Sequence, residues 1–372
     1  MGIIEDLQGL GQSVWLDFIS RELLDSGELA KYVEMDEVRG VTSNPSIFEA
    51  AIAKTNQYTD AIGKAFGEGR SPEDVLDALI LKDICDAADV FLPLYQRTNG
   101  ADGFVSVEVD PELAHDAEGT LREARRLWKA VDRPNIMIKI PATEIGLSAI
   151  SGAIADGINV NVTLIFSLER YGQVMEAYLS GLEQRLENGR SVDHIASVAS
   201  FFVSRIDTAV DNALLEIESQ NANSDVTTLL GKAAIASGKL AYQKFKEVFN
   251  TKRFEKLARQ GAAYQRPLWA STSTKNPEYP DTYYVDHLIG PNTVNTLPPK
   301  TFEAFKDHGT VERTIDRDLE DAYAALQKVE DLGISLTRVT DQLEREGVDK
   351  FAQSFRNLLQ TVRMQSPSSS NS

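Results

Sequence analysis

The feature that most constrains the fold of this chain is a series of eight short apolar segments, which alternate with stretches of helical periodicity. The segments span residues 14–19, 40–43, 104–109, 136–140, 160–166, 195–203, 267–271 and 293–297. Strands that alternate with helices form βαβ units and a parallel sheet. Eight such units make up the (β/α)8 barrel, or TIM barrel, which is an α/β fold. We therefore predict this fold.

An open, doubly wound sheet is the alternative architecture for alternating strands and helices. Such a sheet usually carries a glycine-rich, phosphate-binding turn after one of its first strands. The sequence contains neither a GxGxxG nor a GxxxxGK[ST] pattern. This difference favours the closed barrel.

The intervals between the predicted strands contain helical patterns. Asp110, for example, is a helix-start signal before a helical pattern over residues 113–130. Two longer intervals, residues 45–97 and 205–259, each have room for two helices. We therefore expect a barrel whose helical layer is thicker than one helix per strand.

The chain continues beyond the eighth predicted strand. Residues 300–308, 310–332 and 337–363 predict three further helices, which we expect to pack on the barrel. No linker or change in composition interrupts the chain, so residues 1–365 are predicted to form one domain. The serine-rich segment 366–372 has no apolar side chain to bury and is predicted to be a disordered tail.

The charge balance argues against two classes of partner. Lysine and arginine number 38 and aspartate and glutamate 56, which gives a net charge of −18. This charge disfavours nucleic acids and anionic membranes, which both attract basic surfaces. No apolar stretch approaches the roughly 20 residues of a membrane span. The first residues lack the basic and apolar regions of a secretory signal, so a cytoplasmic location is expected.

The cysteine and the histidines give no sign of a disulfide or a metal site. Cys85 is the single cysteine of the chain, so it has no internal partner and is expected to be a buried structural thiol. The histidines show no metal-ligand spacing, and each is expected at the surface or at a helix end. They are His115, His194, His287 and His308.

Lys139 lies in a strand candidate that is otherwise apolar from residue 136 to residue 140. Such a run predicts a parallel strand buried on both faces. Burial disfavours the charged amine, and the neutral amine is the nucleophile that forms imines with carbonyl compounds. The alternative is a lysine on an edge strand, whose side chain reaches water or pairs with an acid.

Polar residues occur late in several of the predicted strands. In a (β/α)8 barrel the active site is built at the carboxyl ends of the strands, so these residues are the candidates for a site. In chain order they are Asp17, Thr42, Ser43, Asn44, Ser106, Glu108, Lys139, Thr143, Asn159, Asn161, Thr163, Ser197, Ser200, Arg205 and the segment 271–275.

Four segments resemble the transaldolase family, within the Schiff-base-forming class I aldolases. They are VTSNPSIF at 41–48, VSVEV at 105–109, MIKIPAT at 137–143 and NVNVTLIF at 159–166, and the likeness extends over residues 14–297. The resemblance implies a (β/α)8 barrel without metal or organic cofactor. It also implies transfer of a dihydroxyacetone unit in the non-oxidative pentose phosphate pathway, from sedoheptulose 7-phosphate or fructose 6-phosphate to glyceraldehyde 3-phosphate or erythrose 4-phosphate.

The resemblance also implies roles for four catalytic residues. Lys139 would form the imine, and Asp17 would exchange a proton with the hydroxyl that becomes the leaving aldehyde. Glu108 and Thr163 would hold the water that is used to form and hydrolyse the imine. Two alternatives stay open: Asp17 could cap the next helix, and Glu108 could form a salt bridge with Lys139.

Three further residues would hydrogen-bond the sugar hydroxyls under the same resemblance. They are Asn44, Asn161 and Ser200. Amide side chains suit this task because they offer a donor and an acceptor. Asn44 precedes a proline, however, and could instead serve the turn.

The phosphate group would be bound by Arg205 and Ser271. The alternative for Arg205 is a surface ion pair with Asp207 or Asp211. Short family members have an arginine two residues after this serine, where the present chain has a serine, and Lys275 is therefore predicted to supply the second cation.

Two other functions compete with transfer. A simple aldolase of the same superfamily would release free dihydroxyacetone, although the small aldolases lack the long insertions and terminal helices predicted here. A catalytically silent barrel would have to retain its buried polar strand ends for packing alone, which is costly. The expected partners are small sugar phosphates, and the chain is expected to be a monomer or a homodimer.

Overall fold

The computed structural model describes residues 2–53, 55–220 and 226–366. Within them, eight parallel strands form a closed barrel in chain order. The strands are β1 (Gln12–Leu16), β2 (Gly40–Val41), β3 (Phe104–Glu108), β4 (Ile136–Pro141), β5 (Val160–Ile165), β6 (Ser197–Phe202), β7 (Gln265–Ala270) and β8 (Thr293–Leu297). The barrel closes where β1 pairs with β8, from Gln12 opposite Thr293 to Leu16 opposite Leu297. The predicted (β/α)8 fold is confirmed.

The predicted strands are all present, with differences at their ends. The eighth strand has the predicted bounds, whereas β1 begins two residues before the predicted 14–19 and ends three residues before its end. The early start includes Gln12, a polar side chain that donates to the backbone oxygen of Leu288 at 2.8 Å and to Thr293 Oγ1 at 2.9 Å. Hydrogen bonds to neighbouring segments thus allow a buried glutamine at the start of an apolar strand.

Helices surround the barrel and extend beyond it. Those of the described residues are α1 (Ile3–Gly9), α2 (Arg21–Asp25), α3 (Glu28–Glu34), α4 (Pro45–Ala53), α5 (Thr59–Gly67), α6 (Pro72–Arg97), α7 (Ala117–Val131), α8 (Gly146–Asp156), α9 (Leu168–Glu187), α10 (Ser204–Gln220), α11 (Ala233–Phe249), α12 (Lys252–Ala258), α13 (Tyr283–His287), α14 (Pro299–His308), α15 (Leu319–Asp331) and α16 (Leu336–Met364). Single 3-10 turns occur at Pro111–Leu113 and Thr227–Leu229.

The prediction of two helices in each long interval was wrong. In the described residues, the first interval contains α4, α5 and α6, and the second contains α10, α11 and α12. Capping residues begin the additional helices: the Ser71 side chain accepts a hydrogen bond from the backbone of Asp74, and the Thr251 side chain accepts one from Phe254. A single capping residue can divide a long helical pattern into two helices.

The three predicted C-terminal helices are confirmed as α14, α15 and α16. The second begins nine residues later than predicted, because residues 310–318 form an irregular segment. The last helix packs along α4, where the Ser354 and Ser46 side-chain oxygens lie 2.8 Å apart. Of the predicted disordered tail, residues 367–372 lie outside the described residues.

A continuous apolar core joins the barrel to its helices. It includes Trp15 and Trp269 on the strands and reaches Val362 near the end of α16. Cys85 is half-buried on α6 rather than fully buried. In the described part of the chain, no group of three or more His, Cys, Asp and Glu side chains could hold a metal ion, and no helix has the length and apolarity that crossing a bilayer requires.

Candidate active site

Lys139 lies inside the barrel and near its carboxyl-terminal mouth. Its strand, β4, pairs with β3 and β5, and the register places Lys139 between Glu108 and Asn161. The lysine is 4% exposed, and its amino group donates a hydrogen bond to the backbone oxygen of Ser43 at 3.1 Å. Because a closed barrel has no edge strand here, the alternative of an edge lysine that reaches water is wrong.

A cavity of about 140 Å³ lies at this mouth and collects most of the predicted site residues. Its lining includes Asp17, Asn44, Lys139, Thr163, Ser200, Arg205, Ser271 and Lys275. Two further predicted residues contact this group: Glu108 lies 3.7 Å from the Lys139 amino group, and Asn161 accepts a hydrogen bond from Ser200 at 2.7 Å. The structure therefore brings all ten predicted site residues together.

Asp17 is half-buried and lies near the lysine, just after the end of β1. One of its oxygens accepts a hydrogen bond from Thr42 Oγ1 at 2.6 Å. Burial raises the pKa of the Asp17 carboxyl, and the nearby positive charge of Lys139 only partly opposes this effect. The next helix, α2, is capped by Ser20, so the helix-cap alternative for Asp17 is wrong.

Glu108 faces Lys139 from the neighbouring strand. Burial raises the pKa of Glu108 to about 7, while the charge of Lys139 lowers it and that of Asp17 raises it further. Its carboxylate lies 3.7 Å from the lysine amino group, as the salt-bridge alternative required. Within the described residues, neither the Glu108 oxygens nor the Thr163 hydroxyl has a hydrogen-bond partner. Such buried oxygens are suited to bind a water molecule or a substrate hydroxyl.

A chain of hydrogen bonds fixes the orientation of Asn161. Its amide nitrogen donates to Ser106 Oγ at 3.0 Å, and its oxygen accepts from Ser200 Oγ at 2.7 Å. Asn44 lines the cavity and also accepts a hydrogen bond from the backbone of Ile47 at 3.0 Å. The turn role and the site position of Asn44 are therefore compatible, since its amide nitrogen is not used in that turn.

The strand that carries Thr163 is irregular at this point. The pairing of β5 with β6 shifts register between Val162 and Ile165. Leu164 has a φ of 60°, a value that residues other than glycine seldom adopt. Irregularities of this kind occur next to active sites, where they redirect a side chain.

Arg205 and Lys275 form the cationic side of the cavity. Arg205 is at the start of α10, and Lys275 follows β7 and donates to Ser273 Oγ at 2.7 Å. Burial lowers the pKa of both side chains, and the charge of Arg205 further lowers that of Lys275. Ser271 lies beside them, with its hydroxyl oxygen 2.9 Å from that of Ser204. Two close cations favour binding of an anion.

The ion-pair alternative for Arg205 is wrong. Asp207 accepts a hydrogen bond from the backbone of Ala234 at 2.7 Å, and Asp211 accepts one from Gly231 at 2.9 Å. Among the salt bridges of residues 2–53, 55–220 and 226–366, none involves Arg205. Its guanidinium lies 5.4 Å from the ring centre of Phe202 instead.

Three polar residues from the predicted strand ends serve the fold and lie outside this cavity. The Asn159 amide donates to the backbone oxygens of Pro134 and Ile136 at the start of β5. Ser197 donates to the backbone oxygen of Val160, and the Thr143 hydroxyl accepts a hydrogen bond from Gly146 at the start of α8. Asn159 and Ser197 lie at the starts of their strands, away from the carboxyl-terminal mouth, whereas the Thr143 hydroxyl is used by the helix that follows β4.

The sequence reasoning missed several residues of the cavity wall. Thr296 lines the cavity from a position late in a predicted strand, where the same rule would have found it. Phe202 is also late in its strand, but it is apolar, and a rule for polar residues does not select it. Phe351 lines it from α16, and its ring centre lies 5.6 Å from the Lys139 amino nitrogen. No local pattern indicates that a residue of the last helix reaches the barrel mouth.

Comparison with known proteins relates nearly the whole chain to one family. The family model described as transaldolase/fructose-6-phosphate aldolase matches residues 14–362. The transaldolase of Parafrankia sp. (strain EAN1pec) is 50% identical over 363 residues, which cover 97% of this chain and 97% of that protein. The transaldolase of Thermobifida fusca (strain YX) is also 50% identical, over 97% and 98%. That of Trichodesmium erythraeum (strain IMS101) is 44% identical, over 96% of both chains. The chain therefore belongs to the transaldolase/fructose-6-phosphate aldolase family.

Proposed function

We propose that this protein is a transaldolase, which transfers a dihydroxyacetone unit between sugar phosphates through an imine on Lys139. The observation that carries the proposal is the position of the Lys139 amino group, buried at the barrel mouth and 3.7 Å from the carboxylate of Glu108. Such a site places an acid–base group beside the amine and can move protons to and from it.

The first step joins the ketose phosphate to the enzyme. The Lys139 amine attacks the ketone carbon, and loss of one water molecule gives the imine. Glu108 accepts and returns the protons of this step, because burial raises its pKa to about 7, close to neutral pH. The Thr163 hydroxyl, which lines the same cavity, holds the water that leaves and later returns.

The second step breaks the bond between the three-carbon unit and the rest of the sugar. Asp17 takes the proton of the hydroxyl that becomes the aldehyde, and the bonding electrons move towards the imine nitrogen to give an enamine. The same steps in reverse join the enamine to the acceptor aldehyde. The raised pKa of Asp17 suits a group that must hold this proton between the two half-reactions.

The remaining site residues bind the sugar. Asn44, Asn161 and Ser200 hydrogen-bond the hydroxyls of the three-carbon unit. Asn44 and Ser200 line the same cavity as Lys139, and Asn161 lies opposite Lys139 on the neighbouring strand. Arg205 and Lys275 bind the phosphate together with the Ser271 hydroxyl. Two cations at this position offset the acidic character of the chain, whose net charge is −18.

A coupled assay with sedoheptulose 7-phosphate and glyceraldehyde 3-phosphate tests this function. We expect fructose 6-phosphate and erythrose 4-phosphate to form in equal amounts, with little free dihydroxyacetone. Release of free dihydroxyacetone at the rate of donor consumption would identify an aldolase instead. Donor that stays unconsumed would indicate a barrel without this activity.

Location and assembly are part of the same proposal. We expect the protein in the cytoplasm, where the sugar phosphates of carbohydrate metabolism occur, and as a monomer or homodimer. Cell fractionation and light scattering test these two expectations. Recovery in a membrane fraction, or a larger particle mass, would contradict them.

A further inference from the structure

The last helix supplies a wall of the active site that the barrel strands do not provide. Phe351 of α16 is 4% exposed and lines the cavity that contains Lys139. The centre of its ring lies 5.6 Å from the lysine amino nitrogen. A bulky apolar side chain therefore lies over the atom at which the substrate becomes covalently attached.

Contacts on both sides of Phe351 hold the helix in this place. One turn before it, Gly347 lies against Leu164, and a Cβ added to this glycine would be 3.0 Å from Leu164 Cδ2. Three residues after Phe351, Ser354 bonds to Ser46 of α4 at 2.8 Å. Residues at these spacings share one face of a helix, so this face is the docked one.

We propose that Phe351 is a specificity-determining residue, which favours transfer of the three-carbon unit over its release to water. This inference rests on the proposed transaldolase function. It concerns the enamine that remains on Lys139 after the aldehyde has left. The enamine either attacks an acceptor aldehyde, which gives transfer, or is protonated, which leads to release.

Release requires one water molecule. A proton from that water adds to the enamine carbon, the remaining hydroxide adds to the iminium carbon, and the C–N bond then breaks to give free dihydroxyacetone and the lysine amine. The Phe351 ring excludes water from one side of the cavity and offers no hydrogen bond that would position it. Phosphorylated acceptors still enter, because Arg205 and Lys275 attract them.

The decisive experiment compares Phe351→Ala and Phe351→Leu with a control on the same helix, Phe355→Ala. Phe355 is partly buried against the core one turn further along and is not part of the cavity wall. The measurement is the ratio of free dihydroxyacetone to sedoheptulose 7-phosphate, the transferred product, at saturating fructose 6-phosphate and erythrose 4-phosphate. We expect the ratio to rise roughly tenfold in Phe351→Ala, a change of about 1.4 kcal/mol between two barriers. It should rise by a smaller factor in Phe351→Leu and stay unchanged in Phe355→Ala.

An unchanged ratio in Phe351→Ala would overturn the inference, as would an equal rise in Phe355→Ala. If Phe351→Ala does not fold, an unchanged ratio in Phe351→Leu overturns it in the same way. Borohydride trapping in each variant separates this inference from the function on which it rests. A label that stays on Lys139 beside an unchanged ratio removes only the role of Phe351, whereas absence of the label in the unmodified protein removes the function as well.

Discussion

The amino group of Lys139 lies 3.7 Å from the carboxylate of Glu108, and the two side chains are only 5% and 4% exposed. Adjacent strands place the two residues directly opposite each other. A buried acid that lies so close to a buried amine can exchange protons with it and with the intermediates that form on it. The pair therefore combines a nucleophile with the acid–base group that its reaction requires.

The pH dependence of activity tests the role of Glu108. Because burial raises the pKa of Glu108 to about 7, the fraction of carboxylate grows as the pH rises through neutrality. We expect kcat/KM to rise over the same pH range. Glu108→Gln should lower kcat by roughly 10²- to 10⁴-fold and remove this rise. A rise that persists in the variant would assign the titration to another group.

Asp17→Asn separates cleavage from imine formation. The asparagine keeps an oxygen that can accept the hydrogen bond of Thr42 but cannot take up the substrate proton. Transfer should fall by roughly 10²- to 10⁴-fold, while borohydride still traps the donor on Lys139. Steady-state assays and mass spectrometry measure the two effects. Retained transfer would exclude Asp17 as the base, and loss of trapping would indicate that it supports imine formation instead.

Arg205→Ala should weaken the binding of phosphorylated sugars selectively. Loss of a charge-assisted hydrogen bond raises KM by roughly 10- to 100-fold for fructose 6-phosphate. The KM for fructose should change little, because it lacks the phosphate. Lys275→Ala should act in the same direction. Equal effects on both sugars would place the phosphate elsewhere.

Asp207→Asn tests how a buried carboxyl group that takes no part in the proposed reaction affects stability. Burial raises the pKa of Asp207 to about 7, above the value of about 3.9 expected in the unfolded chain. Between these values the folded state binds more protons, so the protein should lose stability as the pH rises from 4 to 7. The asparagine keeps an acceptor for the backbone of Ala234 and has no charge to bury.

Chemical denaturation at pH 5 and pH 8 measures this effect. The unmodified protein should lose on the order of 2–4 kcal/mol more unfolding free energy than the Asp207→Asn variant between the two pH values. Glu216→Gln, a change of an exposed side chain on the same helix, serves as the control. An equal loss of unfolding free energy in the unmodified protein and in Asp207→Asn would show that Asp207 does not titrate in this range.

The sequence predicts the barrel well because the periodicity of strands and helices is a property of short segments of the chain. Period and apolarity identify β8 with its observed bounds, and the rule that sites form at strand ends places Asp17 and Lys139 correctly. The helix starts at Ser71 and Thr251 were harder to predict, since a serine or threonine within a helical pattern either caps a helix or remains inside one. The extra helices were missed for this reason.

Long-range contacts limit what the sequence can predict at the site. Phe351 is far from the barrel strands in the chain, and only the docking of α16 on Leu164 and Ser46 brings its ring to Lys139. The left-handed backbone conformation at Leu164 could not be predicted either, because the position is occupied by leucine and not by glycine. Both features depend on packing between distant segments, which periodicity does not encode.

Borohydride trapping of the donor is the most direct test of a covalent intermediate on Lys139. Fructose 6-phosphate and borohydride should add the mass of the reduced three-carbon unit or of the whole sugar to the peptide that contains Lys139. Lys139→Arg should fold normally and take up no label, because arginine stays charged and cannot form the imine. A label on any other lysine, or turnover by the arginine variant, would contradict the proposed mechanism.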